Sequence, residues 1–172
     1  MSSYSGSITE LNIAEGSYVN EGDLIAHIKS TDLDMQQDGI QSQLDIYKKQ
    51  KSQYEKLVKS IQDDKNYFSE TDIDDQPYYY QYQTYKSQVA QKTFDASTYQ
   101  AAGYSDTQIK ALMEQNQSEL ESLYYSTMQS ISQSINSAQV NVDNLQAQMD
   151  SLNTGANDYF IYAPTSVSYT HL

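Results

Sequence analysis

The chain has no cysteine and no tryptophan, and its ten basic residues are all lysine, so it has no arginine either. Without cysteine there are no disulfides, no thiolate catalysis and few ways to build a zinc site; the absence is compatible with export. Ten lysines against 23 acidic residues leave a net charge of -13. That balance repels phosphate backbones and no basic stripe offsets it, which excludes nucleic-acid binding. No apolar run approaches the ~20 residues that cross a bilayer, and residues 1–12 lack the basic-then-apolar pattern of a signal peptide. Serines are abundant, yet no Gly-x-Ser-x-Gly elbow, phosphate loop or paired histidine base accompanies them. His27 and His171 have no second histidine near them in sequence. The acidic cluster Glu70, Asp72, Asp74 and Asp75 lacks the glycine and the distant glutamate of an EF-hand loop and reads as a solvated linker. No catalytic, cofactor-binding or metal-binding residue is expected, and the chain reads as a non-enzyme.

A mean hydropathy of -0.73 and 38% apolar residues point to thin, elongated packing instead of one large globular core. The opening segment alternates short apolar stretches (Ile8, Leu11, Ile13; Val19; Leu24, Ala26, Ile28) with Glu-Gly and Glu-Gly-Asp turns. Glycine supplies the positive φ of tight reversals, so three or four short strands fit here. So small a sheet is marginal alone. Its missing partner is suggested far downstream, in the β-prone run Tyr159-Phe160-Ile161-Tyr162-Ala163 before Pro164.

Between these ends the pattern is helical. Ile40, Leu44, Tyr47, Lys51, Tyr54, Val58, Ile61, Lys65 and Phe68 recur in steps of four and three, the seam spacing of a coiled coil along which lysine stems can lie. A second seam runs through Ile131, Ile135, Ala138, Val142, Leu145, Met149 and Leu152. Two such seams joined by a reversal imply an antiparallel pair. Ser105-Asp106-Thr107-Gln108 is a capping box with Tyr104 and Ile109 as its staple, and Gly155 is a helix stop. Asn66 to Pro77 interrupts the first arm, with Pro77 suited to the first turn of a new helix. Helices are expected at about 34–68, 77–95 and 106–153, the last roughly 70 Å long at 1.5 Å per residue. The break at 69–76 should bulge from the first arm, and Gly39 could mark a bend.

The pattern Gly-x-Ile, Glu-Gly-x-x-Val-x-x-Gly-Asp-x-Leu-x-x-Ile, then helices, then Ile-x-Ala-Pro resembles membrane fusion proteins of the HlyD type. The Tyr-, Gln- and Asn-rich hairpin is most similar to accessory proteins of bacteriocin and peptide ABC exporters. The resemblance implies a mainly α fold with a small β part: an antiparallel coiled-coil hairpin inserted in a split, incomplete biotinyl/lipoyl-like module (a barrel-sandwich hybrid). Residues 1–30 would form its first half, 31–155 the hairpin and 156–166 the start of its second half. Val167 stands where the family usually places glycine, so 167–172 is expected to be a non-native tail. Lipoyl carriers present a lysine in a Thr-Asp-Lys turn; here the residues are Thr31-Asp32-Leu33, which argues against a cofactor-carrying lysine.

The resemblance further implies an extracytoplasmic, cell-membrane-associated adaptor, with an anchor expected upstream of residue 1. Its partners would be an ABC exporter and sister subunits, the fragment itself being a monomer or weak oligomer. Gram-negative members carry an arginine-leucine-serine pattern at the hairpin tip. The tip here, 96–105, has no arginine, which fits a Gram-positive exporter. Tyr78, Tyr79, Tyr80, Tyr82 and Tyr85, with Tyr99 and Tyr104, are the candidate partner contacts, because exposed tyrosine buries large area at small entropic cost. The alternative is a standalone coiled-coil interaction or surface protein.

Overall fold

The computed structural model describes residues 7–29, 31–155 and 160–168. Among these residues five short strands flank four helices: β1 (Ser7–Leu11), β2 (Tyr18–Val19), β3 (Leu24–Lys29), α1 (Thr31–Gln62), α2 (Gln76–Gln91), α3 (Ala96–Ala101), α4 (Asp106–Gly155), β4 (Phe160–Tyr162) and β5 (Val167–Ser168). The fold is mainly helical with a small antiparallel β part. Two compact units divide the chain, one drawn from residues up to 46 and from 141 onward, the other from Tyr47–Val140.

In the first unit the strands from the two ends of the sequence share a sheet of order β1-β3-β4. Leu24 stands opposite Tyr162 and His27 opposite Phe160. The imidazole of His27 stacks flat on the Phe160 ring, centroids 4.4 Å apart. The turn before β3 explains how the ends are joined. Gly22, at φ +86°, takes the left-handed conformation closed to most side chains. Its N–H then donates to the Ala163 carbonyl, while the Ala163 N–H donates to Asp23. Tyr159, expected to open the returning strand, lies outside the described residues.

The segment after Ala163 differs from expectation. Val167–Ser168 pairs antiparallel with Tyr18–Val19, and the Glu21 N–H donates to Ser166 Oγ at 2.9 Å. The start of the supposed foreign tail therefore belongs to the β unit; residues 169–172 are outside the described ones. Burial here is slight. Val19, Ala26 and Ala163 are buried, but Ile8, Leu11, Tyr18 and Tyr162 remain exposed, as expected of a sheet with few layers over it. The helical part of this unit adds buried Leu44 and Leu145, two of the predicted seam residues, and Gln37 donates from α1 to Asn153 on α4. Gly39 lies inside α1 with open space where a Cβ would stand.

The second unit is a helical bundle. Its core is Leu57 and Ile61 of α1, Phe68 of the following segment, Tyr82 of α2 and Ile131 of α4. Tyr85 and Tyr124 both pack on this cluster, and just past the end of α2 Lys92 pairs with Glu119 at 2.8 Å. As α2 advances its α4 partners fall in number, so these two helices run antiparallel.

Helix α1 stops at Gln62, six residues short of the expected end. Asp64 takes φ +50°, its N–H donates to Ile61 and the Lys65 N–H donates to Ser60. This is a Schellman cap with aspartate where glycine is usual. Lys65, expected in the seam, is thus an exposed residue beyond the helix. Phe68 is buried, but from the connecting segment. The second helix begins at Gln76 with Pro77 in its first turn and ends at Gln91, before the expected 95. The reversal holds a further short helix, α3, capped by the Asp95 carboxylate on the Ser97 N–H. The Ser105–Gln108 capping box forms: the Ser105 N–H donates to Gln108 Oε1 at 2.9 Å and the Gln108 N–H donates back to Ser105 Oγ.

Candidate functional site

The tyrosine-rich face is built on α2. Pro77 fixes φ for a first turn, and helical spacing sends the tyrosines in different directions. Tyr82 points inward and is buried. Tyr78 is half-buried, set edge-on to Tyr54 at 5.1 Å and stacked near Phe68 at 5.7 Å. Tyr79 and Tyr85 also pack against the core, leaving Tyr80 as the exposed member at 50%. Burial pushes up the phenol pKa of Tyr78, with Tyr54 adding to it. It does the same for Tyr82 beside Asp64 and for Tyr85 beside Tyr124. These hydroxyls stay neutral donors and acceptors at any ordinary pH.

Tyr99 and Tyr104 have a local explanation. Gly103, at φ +85°, ends α3 in a Schellman cap, with the Tyr104 N–H bonded to the Tyr99 carbonyl. The two rings meet edge-on at 5.5 Å, which is the apolar contact that accompanies this cap. Tyr99 also stacks on Phe94 at 5.0 Å.

What holds α2 in place is a polar clamp at Asp75. Its carboxylate accepts from Lys56 Nζ at 3.0 and 3.1 Å, from Gln53 Nε2 at 2.9 Å and from the Ser69 N–H at 3.0 Å. Lys56 also lies over the Phe68 ring at 4.5 Å. Two further ion pairs, Lys49 with Asp74 and Lys86 with Asp64, tie the same segment to α1 and α2. Desolvation alone would raise the Asp75 pKa, but the Ser69, Lys56 and Gln53 hydrogen bonds and the lysine charge outweigh it and hold the carboxyl below its ordinary value.

Asp75→Asn should therefore cost about 1.5 to 3 kcal/mol at neutral pH, the range for hydrogen bonds to a charged group. A depressed native pKa stabilises fully above the unfolded value of about 4 and ceases to do so as pH falls through the native value. The gap between wild-type and variant urea midpoints should accordingly shrink on acidification. A gap that is constant with pH would show that the charge plays no part in the clamp. Among the described residues, no group of three or more His, Asp or Glu side chains could hold a metal ion.

Beside these tyrosines lies a groove of about 560 Å³ between α1, α2 and α4, inside the second unit. Its floor is aliphatic, made by buried Leu57, Ile61 and Ile131. One wall is α2, through Tyr80, Gln81, Thr84 and Gln88; the other is α4, through Ser126 and Ser130. None of its 13 lining residues bears a formal charge. Sequence reasoning did not find the α4 wall, nor Tyr125, which is 68% exposed. A signal was present: residues 122–142 contain no Asp, Glu or Lys, although exposed helical faces normally carry charge.

Residues 36–114, spanning most of α1, all of α2 and α3 and the start of α4, match the family described as LcnD-like, long helical bundle domain. The chain is similar to the membrane fusion proteins. The LcnD-like match takes in the Asp75 clamp and the whole tyrosine-rich helix. Among solved structures, the periplasmic adaptor protein EmrA is similar at 13% identity and a TM-score of 0.44, over 96% of this chain and 65% of that one. The chain thus spans about two-thirds of the length of that adaptor. None of the curated proteins matches it in sequence.

Proposed function

We propose that this chain works within an extracytoplasmic adaptor of an ABC exporter that secretes peptides or bacteriocins in a Gram-positive bacterium. It acts by protein–protein contact, with the exporter and sister subunits as partners and without making or breaking a bond. The observation that carries the reading is the pairing of β3 with β4, which brings sequence from before and after the helical insertion into one sheet. That is the layout of a split lipoyl-like module, and the LcnD-like match falls on the insertion. Leu33 lies in α1, with no amine to carry a cofactor. Tyr80 and Tyr125 are exposed rings of the helical bundle, at 50% and 68%, and Tyr104 at the reversal is exposed as well.

The test is co-purification of the complete protein with its exporter from membranes. Replacing Tyr80 and Tyr125 together by serine should leave the melting temperature within a few degrees, since exposed positions change stability little. Recovery of the exporter should fall severalfold, because buried tyrosines are common interface anchors. Equal recovery with the double variant would remove these rings from the contact, and no recovery with the wild type would remove the adaptor reading.

A further inference from the structure

We infer that the groove between α1, α2 and α4 binds a short, extended, uncharged segment of a cationic peptide. Its volume of about 560 Å³ falls in the range of built ligand sites. The lining states the chemistry of the occupant. An aliphatic floor of Leu57, Ile61 and Ile131 takes apolar side chains. The walls present amides (Gln81, Gln88), which both donate and accept, and hydroxyls (Thr84, Ser126, Ser130); those of Thr84 and Ser126 donate to the Tyr80 and Leu123 carbonyls and keep lone pairs for a ligand. Among the described residues the side-chain amides of Gln81 and Gln88 have no intramolecular partner. A peptide backbone, which alternates N–H and C=O along its length, matches such walls. Gln81 and Gln88 are two turns apart on α2, ~10.5 Å, the span of about three to four extended residues.

Charge selects further. With no charged side chain in the lining, a carboxylate or ammonium seated there would lose its hydration without gaining an ionic partner. The contacting segment is therefore uncharged. The protein as a whole carries -13, a field that concentrates cations and repels anions. Positive charge on the peptide consequently belongs outside the seated residues. That this peptide is exported cargo rests on the adaptor reading; its seating in the groove does not.

The test uses fluorescence anisotropy of a labelled synthetic peptide with two lysines at each end and an uncharged centre of glycine, serine and leucine. Thr84→Phe with Ser130→Phe fills the groove from both walls at exposed positions, and Gln133→Phe, on α4 outside the groove, is the control. Melting curves check that each variant folds. The lysine-flanked peptide should bind the wild type and the control alike, and the plugged variant at least about tenfold more weakly. A glutamate-flanked peptide of the same centre should bind more weakly than the lysine-flanked one, with the difference closing in high salt. Affinity unchanged by the plug, or binding of a neutral chitin oligosaccharide in preference to the peptide, would overturn the assignment. Exporter capture that survives while peptide binding fails would sink this inference and leave the adaptor reading intact; the reverse result would do the opposite.

Discussion

Leu57→Asp should lower the melting temperature by on the order of 10 °C or more. Leu57 is 2% exposed and belongs to the cluster where α1, the connecting segment, α2 and α4 meet. Losing its apolar burial removes about 1.5 to 3 kcal/mol. The new carboxyl must then be buried without a partner or be held neutral, at a further cost of several kcal/mol. A total near 5 kcal/mol is comparable with the whole stability of an ordinary domain, and each kcal/mol shifts the midpoint by about 2 to 4 °C in a chain of this size. The native pKa shift of the new carboxyl is opposite in sign to that of Asp75, although both deficits shrink in acid. A buried acid with a raised native pKa is least harmful when protonated, so the deficit should narrow between pH 7 and pH 4. Circular dichroism melts at both pH values measure it. An unchanged curve at pH 7 would mean that α1 does not pack through this face.

The periodic part of this core was legible because a seam is a repeated signal. All seven second-seam residues from Ile131 to Leu152 are buried or half-buried. The pairing of the two ends was legible from the turn glycines and a β-prone run before proline. What escaped the sequence has specific causes. Asp64 ends α1 in a conformation usually left to glycine or asparagine, so nothing marked the stop, and Phe68 kept the seam spacing by coincidence. Ser60 is fully buried yet polar; its hydroxyl donates to the Lys56 carbonyl, a local bond that no apolar pattern announces. Strand β5 is two residues long, too short for any alternation. The groove draws its walls from segments about 40 residues apart in sequence, and serines, threonines and glutamines carry no periodic hydrophobic signal. The tyrosines illustrate the limit of composition. Tyr82, Tyr80 and Tyr99 are one residue type, but the first fills the core, the second faces solvent and the third closes a helix cap.

Phe68→Ala should be nearly as damaging, and it separates the connecting segment from the helices. Phe68 is 7% exposed, stacked near Tyr78 and beneath the Lys56 ammonium, with its N–H bonded to Asn66 Oδ1 at 2.9 Å. Truncating a buried phenylalanine typically costs about 3 to 5 kcal/mol, part of it from the cavity left behind. The loss should also be local, because this ring anchors the segment between α1 and α2. Trypsin, which cuts after lysine, should attack the bond after Lys65 slowly in the wild type and many times faster in the variant. Cleavage tracks the population of opened chain. Phe68→Leu, which keeps most of the apolar volume, should fall between the two. Since Phe68 also supports Tyr78, the variant loosens the start of α2 and with it one wall of the groove, so binding of the lysine-flanked peptide should weaken in parallel with faster cleavage. Cleavage after Lys65 at wild-type speed would show that the ring is not what holds this segment down.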